Sequence, residues 1–363
     1  MIKIIYMGSF VMNGIYNGPQ KAAEGIFNQA LKTELDAYFI SYLRGEKKYS
    51  LREKLFGYLE LTTGGQKRLR LGIIQLIMTL YRIKPEIIHI LTFERLHILP
   101  VFYCLISGCR LIYNVSGIAA YEDIREKEKL GKFCLFKDLI TEKFLFNLSD
   151  YLVFHSHLSV DLAKKYYSLK DKKIKVIPHG IEESLLKLAR TKSSDPKLRG
   201  ITVAEQNHPG KGLEFLMNMV MEYHPHIRLT IIGDKKDELL YENYSGLHFK
   251  DRMNHSEFID LLLKNDIYIC PCEHESFSIS SLEAMALGLV PVLSSGTGLS
   301  EYLHDNKNGF IFKQGDGESL YQKINLILKS GATLSAVSCE AKNFARRFTW
   351  GSVFIKSYLP LYK

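Results

Sequence analysis

The residues best suited to chemistry lie in one short segment, Glu275 to Glu283, which reads ESFSISSLE. It directly follows an apolar run, Ile267 to Cys270, that predicts a β-strand, and its small polar residues lead into a helix. Backbone N–H groups at a helix N-terminus, together with the helix dipole, form an anion site suited to a diphosphate. Glu283 could accept hydrogen bonds from ribose hydroxyls, and Glu275 could hold the hydroxyls of a sugar.

A structural role explains part of the same segment. Ser280 and Glu283 have the spacing of a capping box, in which the two side chains satisfy free N–H groups at the start of a helix. The residues alone therefore leave both interpretations open, a ligand site and a helix cap.

Two further groups have suitable side chains. His89 ends a predicted strand on the face of the expected cleft, where it would either touch a substrate or be a hydrogen-bonded core histidine. Cys270-Pro-Cys272-Glu-His274 contains metal-ligating residue types, but a fourth ligand is missing and the segment leaves a buried strand, so we assign no metal to it. Neither a P-loop nor a Gly-x-Gly-x-x-Gly after the first strand is present, which disfavours kinases and dehydrogenases.

Short apolar runs alternate with helical segments along the whole chain. The predicted strands of the first half are 3–6, 37–42, 87–91, 110–115, 152–155 and 175–177, with helices at 20–31 and 71–83. Those of the second half are 201–204, 228–232, 246–249, 267–270, 290–293 and 309–312, with helices at 212–221, 256–264 and 281–287. This alternation predicts parallel sheets, and 363 residues suffice for two doubly wound α/β domains with a cleft between them. We expect the hinge at Pro178 to Glu183.

Composition favours a soluble globular protein, with 46% apolar and 24% charged residues. The N-terminal MIKIIYMGSF has no signal-peptide pattern, and apolar runs such as 71–80 and 98–106 are shorter than the roughly 18–20 residues of a membrane span. We therefore expect a cytoplasmic protein whose six cysteines are reduced.

The net charge of +9 is unevenly distributed. Residues 1–178 hold 27 Lys and Arg against 17 Asp and Glu, whereas residues 179–363 hold 21 against 22. The basic half would face a membrane, a nucleic acid or an anionic substrate. Residues 124–146 mix Lys with Phe, Leu and Ile at helical spacing, which fits an interfacial helix on anionic lipid, with Lys127, Lys129, Lys132 and Lys137 on its basic face. It fits equally a core-packed helix with a solvated basic face. No recognition motif supports nucleic acid as a partner.

A longer pattern surrounds the Glu275 segment. The sequence continues ESFSISSLEAMALGLVPVLSS, then a Gly-rich stretch at 296–301 and Asn308-Gly-Phe310. This resembles the donor-binding segment of the retaining glycosyltransferases of family four. Weaker similarity lies in Ile177-Pro-His-Gly-Ile181 and in Phe348-Thr-Trp350.

The resemblance implies the GT-B fold, in which two Rossmann-like domains face a central cleft and a C-terminal helix crosses back to the first domain. It implies an acceptor domain at 1–178, a nucleotide-sugar donor domain at 179–345 and the returning helix at 346–363.

The same resemblance implies roles for particular residues. Lys211, in His208-Pro-Gly-Lys-Gly-Leu213, would contact the donor diphosphate, and with Glu275 it would be catalytic. The donor site would also include Gly18, Ser276, Phe277, Ser278, Ile279, Ser280 and Glu283. On the acceptor side, Ser116 stands where many members have a histidine, and His89 is the second candidate. An arginine that usually precedes the lysine is replaced here by Ala204-Glu-Gln206.

The implied reaction is transfer of a sugar, with retention of anomeric configuration, from a nucleotide-diphosphate sugar to a lipid-linked or polysaccharide acceptor in bacterial-type surface glycan synthesis. Uridine diphosphate is the commonest donor nucleotide of the family. The resemblance implies no metal and no cofactor. From the apolar runs and the basic charge of residues 1–178 we expect a place in the cytoplasm or on the inner face of the plasma membrane. Two alternatives stay open, a nucleotide-sugar 2-epimerase and a non-catalytic lipid- or nucleic-acid-binding protein with the same fold.

Overall fold

The computed structural model describes residues 1–9, 17–43, 49–61, 67–125, 132–190, 197–203, 209–223, 226–233 and 246–363. Within these ranges the chain builds two separate sheets. The N-terminal domain is built on the first sheet and the C-terminal domain on the second. Ala204 to Gln206 and His208 of the sequence motifs lie outside the described residues.

The first sheet has eight described strands in the order β3-β4-β2-β1-β5-β6-β7-β8. All neighbours are parallel except β3 and β4, which form an antiparallel pair at one edge. The strands are β1 Lys3–Met7, β2 Asp36–Tyr42, β3 Tyr58–Leu61, β4 Arg68–Leu71, β5 Ile87–Ile90, β6 Arg110–Asn114, β7 Tyr151–Phe154 and β8 Ile174–Val176.

The second sheet has six described strands, all parallel, in the order β11-β10-β9-β12-β13-β14. They are β9 Leu198–Val203, β10 Ile227–Ile232, β11 Leu247–Lys250, β12 Ile267–Cys270, β13 Val290–Ser294 and β14 Phe310–Phe312. The change of sheet falls between Val176 and Leu198, an interval that contains the predicted hinge. The residue-level domain boundaries stay a prediction.

Helices connect the strands of both sheets. In the N-terminal domain they are α1 Gly18–Ala30, α2 Leu51–Phe56, α3 Ile73–Ile83, α4 Ile98–Ser107, α5 Ala119–Arg125, α6 Lys132–Leu148 and α7 His157–Tyr166. In the C-terminal domain they are α8 Leu213–Tyr223, α9 His255–Leu262, α10 Ile279–Ala286, α11 Gly317–Lys329 and α12 Gly331–Ala345. No helix among the described residues is long and apolar enough to cross a membrane.

Each sheet is buried on both faces, as parallel sheets require. Successive residues of β1 show this, because side chains alternate between the faces of a strand. Ile5 and Met7 enter one core of the N-terminal domain, and Ile4 and Tyr6 enter the other. The predicted architecture of two doubly wound α/β domains is therefore confirmed.

The end of the chain returns to the N-terminal domain, as predicted. It consists of α13 Trp350–Val353, a π-helical turn Phe354–Tyr358 and α14 Leu359–Tyr362. The side chains of Trp350, Phe354, Tyr358 and Tyr362 are all buried in the core that also holds Ile4 and Tyr6.

Two glycines make this docking possible. A Cβ atom at Gly25 of α1 would lie 2.2 Å from the indole of Trp350, and one at Gly180 would lie 2.8 Å from it. The backbone reinforces the contact, since the Ile181 N–H donates to the Phe348 oxygen at 2.8 Å and the Trp350 N–H donates to the Ile181 oxygen at 3.0 Å. The two crossings of the chain between the domains are thus bound to each other.

The structure corrects some element limits. The edge strands β3 and β4 were not predicted, and Leu71 ends β4, so the helix predicted at 71–83 begins at Ile73. The helix predicted at 212–221 begins at Leu213, because Gly212 has a φ of +66°. Short strands at a sheet edge with charged residues in alternate positions give a weak sequence signal.

We expect Trp350→Ala to lower the free energy of unfolding by about 3–5 kcal/mol, since it leaves a cavity between α1 and the hinge segment around Gly180. Urea unfolding measures this. Ile355→Ala is the matched control, because Ile355 lies in the same terminal segment but is 63% exposed. Equal losses in the two variants would contradict the anchoring role of the indole.

Candidate active site

The Glu275 segment forms the turn between β12 and α10. Ser278, not Ser280, precedes the helix. It has a φ of +80°, uncommon for a residue with a side chain, and its Oγ accepts a hydrogen bond from the Ser281 N–H. The capping box predicted for Ser280 and Glu283 is therefore wrong, because Glu283 lies in the second turn of the helix. The other N–H groups of the first turn have no partner within a helix, which is the condition for an anion site.

Lys211 lies against this turn. Its Nζ is 2.7 Å from Glu275 Oε2. Only glycine is accommodated at position 212, since a Cβ there would be 2.3 Å from the Pro271 oxygen, and this close approach holds Lys211 beside the strand end. The Glu275 carboxylate raises the pKa of Lys211 well above its ordinary value, although burial acts in the opposite direction. A stable positive charge thus lies beside the N-terminus of α10.

Glu283 joins the two domains. Its side chain is 2% exposed, forms an ion pair with Lys21 of α1 and accepts a 3.0 Å hydrogen bond from Nε2 of His255 at the start of α9. Burial by itself raises the pKa of Glu283, but Lys21 and His255 outweigh it and hold the pKa below its ordinary value. Glu283 is therefore an ionised acceptor, already engaged by two donors.

The N-terminus of α1 faces the same place. Asn17 caps the helix, with its Oδ1 accepting from the Gln20 N–H at 2.9 Å and the Gln20 side chain accepting from the Asn17 N–H at 3.2 Å. A Cβ at Gly18 would meet no atom within 4 Å. The space above Gly18 is thus open to a ligand rather than filled by the protein.

Two adjoining cavities lie between the domains, with volumes of about 620 and 330 Å³. Both are lined by Asn17, Gly18, Pro19, Lys211, Glu275, Ser278 and Ile279. Of the other predicted site residues, Ser116 and Ser276 line only the larger cavity, and Ser280 and Glu283 only the smaller one. Lys21, Arg252, Met253 and His255 complete one wall of the smaller cavity.

Two predicted site residues line neither cavity. Phe277 is fully buried, and its ring centroid lies 5.5 Å from that of His179 and 5.8 Å from that of Tyr302. It therefore anchors the turn in the core rather than facing a cavity. His89 is fully buried on the face of the first sheet that packs against Tyr362.

The acceptor-side role predicted for His89 is wrong. Its Nδ1 is 2.8 Å from the Tyr362 hydroxyl, and its Nε2 is 2.8 Å from Asn114 Oδ1. Burial lowers the pKa of His89 to about 4. It is a neutral core histidine that binds the end of the chain to the first sheet.

The wall that the N-terminal domain contributes to the larger cavity is more acidic than the net charge of that domain suggests. It contains Ser116, Glu94, Arg95, Glu122, Asp138 and Glu142. Arg95 is paired with Asp138, and Glu142 accepts hydrogen bonds from the Ala119 and Ala120 N–H groups. The excess positive charge of this domain therefore does not line the cavity.

Sequence reasoning missed Lys21 and His255. Each lies in the first turn of a helix that follows a strand, at the sheet edge where the loops of parallel strands meet. No local pattern could pair them with Glu283, because Lys21 is 262 residues away along the chain.

A pair of histidines lies at the predicted hinge. The rings of His155 and His179 are 3.6 Å apart, both are buried, and His179 lines the larger cavity. The Nδ1 atom of His155 donates to the Ile177 oxygen at 2.9 Å. Burial lowers the pKa of His155 to about 4 and that of His179 well below its ordinary value. The two rings can stack only while they are neutral.

The buried histidines predict a pH dependence of stability. The pKa values of His89 and His155 are about 4 in the folded chain and 6.5 in the unfolded chain, and the pKa of His179 is lowered in the same direction, so the unfolded state binds more protons between pH 4 and 6.5. Stability is therefore complete above about pH 6.5 and falls toward pH 4, by about 2 kcal/mol for each of His89 and His155 at pH 5.

Urea unfolding at a series of pH values measures the slope. We expect it to be shallower in His155→Asn, because the Asn amide keeps the donor to the Ile177 oxygen but does not titrate. An identical slope in this variant would rule out His155 as a contributor.

Comparison with known proteins agrees with this geometry. Residues 193–344 match the family model described as glycosyl transferases group 1. Curated relatives include a phosphatidyl-myo-inositol mannosyltransferase of Mycobacterium leprae, 27% identical over 49% of this chain and 50% of that protein. A D-inositol 3-phosphate glycosyltransferase of Segniliparus rotundus is 23% identical over 67% of this chain and 58% of that protein. A sulfoquinovosyl transferase of Arabidopsis thaliana is 28% identical over 40% of this chain and 30% of that protein. The chain thus matches from about a third to somewhat over half the length of these relatives.

Solved structures share the whole architecture. The sucrose-phosphate synthase of Thermosynechococcus elongatus superposes with a TM-score of 0.77, at 13% identity, over 99% of this chain and 98% of that one. An Anabaena protein in complex with UDP and glucose gives 0.75, at 15% identity, over 99% of both chains. At such identities the likeness shows the GT-B fold alone. The match of residues 193–344 adds the family, and this segment belongs to the glycosyl transferases group 1.

Proposed function

We propose that this protein transfers a sugar from a nucleoside diphosphate sugar to a hydroxyl of a glycan or lipid-linked acceptor, with retention of anomeric configuration. The observation that carries the proposal is the placement of Lys211 and the N-terminus of α10 at the junction of the two cavities. One anion site there can hold a diphosphate while its two ends extend into different cavities.

The smaller cavity suits the nucleoside. Glu283 is an ionised acceptor for ribose hydroxyls, and Arg252 and Met253 offer a polar and an apolar contact for a base. Uridine is the nucleoside we propose, supported by the Anabaena structure with UDP, which shares the fold. The sugar then lies beside Glu275 at the entrance to the larger cavity.

The negative charge that develops on the diphosphate explains why the reaction would occur beside Lys211 and the N-terminus of α10. When the bond between the anomeric carbon and the phosphate oxygen breaks, negative charge develops on the diphosphate. Lys211 and the N–H groups at the start of α10 are fixed before the reaction, so they stabilise that charge without reorganisation. We propose that they do so in place of a metal ion.

The acceptor would enter the larger cavity from the N-terminal domain. Ser116 is within reach of it, and the carboxylates on this wall are suited to accept hydrogen bonds from sugar hydroxyls. Relatives named as a phosphatidyl-myo-inositol mannosyltransferase and a sulfoquinovosyl transferase support a lipid-linked acceptor. A place in surface glycan synthesis remains part of this proposal.

Donor identity and reaction class can be tested together. The folded protein is screened by thermal shift against UDP, ADP, GDP and their glucose conjugates, since a ligand of the native state raises the melting temperature. Products with the preferred donor are then followed by NMR. Transfer gives a new glycoside with the donor's anomeric configuration only when acceptor is present. Free nucleotide with epimerised sugar and no acceptor would indicate the 2-epimerase, and binding without turnover the non-catalytic protein.

We expect Glu283→Gln to weaken UDP binding about tenfold or more, because ribose hydroxyls lose a charged acceptor. Calorimetry on the folded protein measures this. Glu214→Gln, an exposed change in α8, is the matched control. Equal affinity of the Glu283 variant and the control would refute the ribose assignment.

Lys211→Ala should lower kcat about 100- to 1000-fold and change donor affinity less, since its charge matters most as the diphosphate departs. Steady-state kinetics with varied donor separates the two effects. Lys307→Ala, at an exposed position of the C-terminal domain, should behave as wild type. A rise in KM at unchanged kcat would make Lys211 a binding residue only.

A further inference from the structure

The outer side of the N-terminal domain carries a concentration of exposed apolar side chains. Eight of the 18 exposed large apolar residues in the described parts of the chain lie on α3, α4 and α6. They are Ile77, Met78, Tyr81, Phe102, Leu105, Ile106, Phe136 and Phe144, and together we name them the outer apolar surface.

The outer apolar surface is continuous. Helix α4 packs against both α3 and α6. The ring of Tyr81 on α3 lies 5.4 Å from that of Tyr103 on α4, and Phe102 on α4 lies 5.8 Å from Phe144 on α6. Its most exposed members come from all three helices, with Ile106 at 76%, Phe136 at 60% and Met78 at 58%. Contiguous apolar patches of this kind mark contact sites, because single exposed apolar residues are usually scattered.

The described charged side chains that these helices expose are all cationic. Helix α4 contains no charged residue. The exposed charged side chains that the structure describes on α3, on its C-terminal cap and on α6 are Arg82, Lys84, Lys137 and Lys143. The acidic residues of α6, Asp138 and Glu142, are buried on its other side.

We propose that the outer apolar surface seats this protein on an anionic lipid bilayer. Its apolar side chains enter the boundary between headgroups and acyl chains, while the exposed cations contact lipid phosphates. A second copy of the chain fits less well, because a symmetric contact would place the cations of one copy opposite those of the other, with no described exposed carboxylate of α3, α4 or α6 to pair with them. Four of the basic residues of 1–178, none of which lines a cavity, lie on these helices and the α3 cap.

This surface differs from the segment predicted at 124–146. Residues 126–131, including Lys127 and Lys129, lie outside the described residues, and the side chains of Lys132 and Phe133 are likewise not described. Leu139 packs against the core. Phe136 and Phe144 belong to the outer apolar surface, whose larger part comes from α3 and α4.

The position of α6 connects the bilayer to the proposed reaction. Asp138 and Glu142 on its inner side line the larger cavity, and Phe136 and Phe144 on its outer side belong to the outer apolar surface. The two are separated by about one helix diameter, roughly 10 Å. A lipid anchored in the bilayer could therefore present a short glycan to the cavity. This step rests on the proposed function, whereas bilayer binding does not.

The test is co-sedimentation of the full chain with phosphatidylcholine vesicles, with and without phosphatidylglycerol, at low and high salt. No donor or acceptor is added, so the result is independent of whether transfer occurs. We expect binding only with the anionic lipid and a decrease at high salt through screening. Failure of the wild type to bind anionic vesicles at low salt would overturn the proposal.

Matched variants locate the contact. Leu105→Gln/Ile106→Gln should lower the partition coefficient about tenfold or more. Leu326→Gln/Leu328→Gln, on exposed positions of α11 in the C-terminal domain, should leave it unchanged. Lys84→Gln/Lys143→Gln should lower it about fivefold for each lysine removed, compared with Lys307→Gln/Lys329→Gln. If each surface variant and its control in the C-terminal domain lowered the partition coefficient equally, the assignment of the contact to the outer apolar surface would be overturned.

Two further measurements test whether the surface binds a second copy instead and whether it inserts into the bilayer. Sedimentation velocity without lipid would reveal a dimer dissociated by Leu105→Gln/Ile106→Gln, which would assign the surface to a second copy instead. Phe136→Trp adds a reporter, since the natural Trp350 is 1% exposed and far less sensitive to solvent. Its emission should shift to shorter wavelength with anionic vesicles, and an unchanged spectrum would contradict insertion.

Discussion

The packing of one indole ring against two glycines determines how the halves of this protein are arranged. Trp350 occupies space that exists only because positions 25 and 180 have no side chain. Gly25 belongs to α1 and Gly180 to the predicted hinge. The indole ring therefore holds α1, the hinge and the C-terminal segment in contact with one another. Since the first turn of α1 carries Gly18 and Lys21, this contact also sets the position of one wall of the active site.

Electrostatic pairing is the second constraint on the site. Lys211 is paired with Glu275, Lys21 with Glu283 and Arg95 with Asp138, so each of these three cavity-facing cations has a carboxylate partner within the protein. A diphosphate and a ribose would have to compete for groups that already have partners. The energetic cost of leaving a buried charge unpaired explains why such pairs form in the absence of ligand.

The fold was largely predictable because buried parallel strands are continuous apolar runs, as in β12 and β13, and their order follows from the alternation with helices. Edge strands β3 and β4 were missed because half-exposed short strands lack that signal. Residues that line the cavities were predicted where chemistry and local pattern coincide, as at Glu275. The Ser278 cap, the burial of His89 and the partners of Glu283 depend on tertiary contacts, which periodicity does not encode.

The return of the C-terminal segment has a consequence for synthesis on the ribosome. One core of the N-terminal domain contains residues from β1 and α1 together with Trp350, Phe354 and Tyr362. That core is incomplete until residues 350–362 have been translated, which at typical rates of roughly 5–20 residues per second takes tens of seconds. Until then, the apolar face formed by Ala22, Ala23 and Ile26 of α1 lacks the partners that Trp350, Phe354 and Tyr362 supply. The nascent protein must therefore keep an apolar surface accessible throughout the synthesis of its second domain, and its two domains can reach their final packing only together.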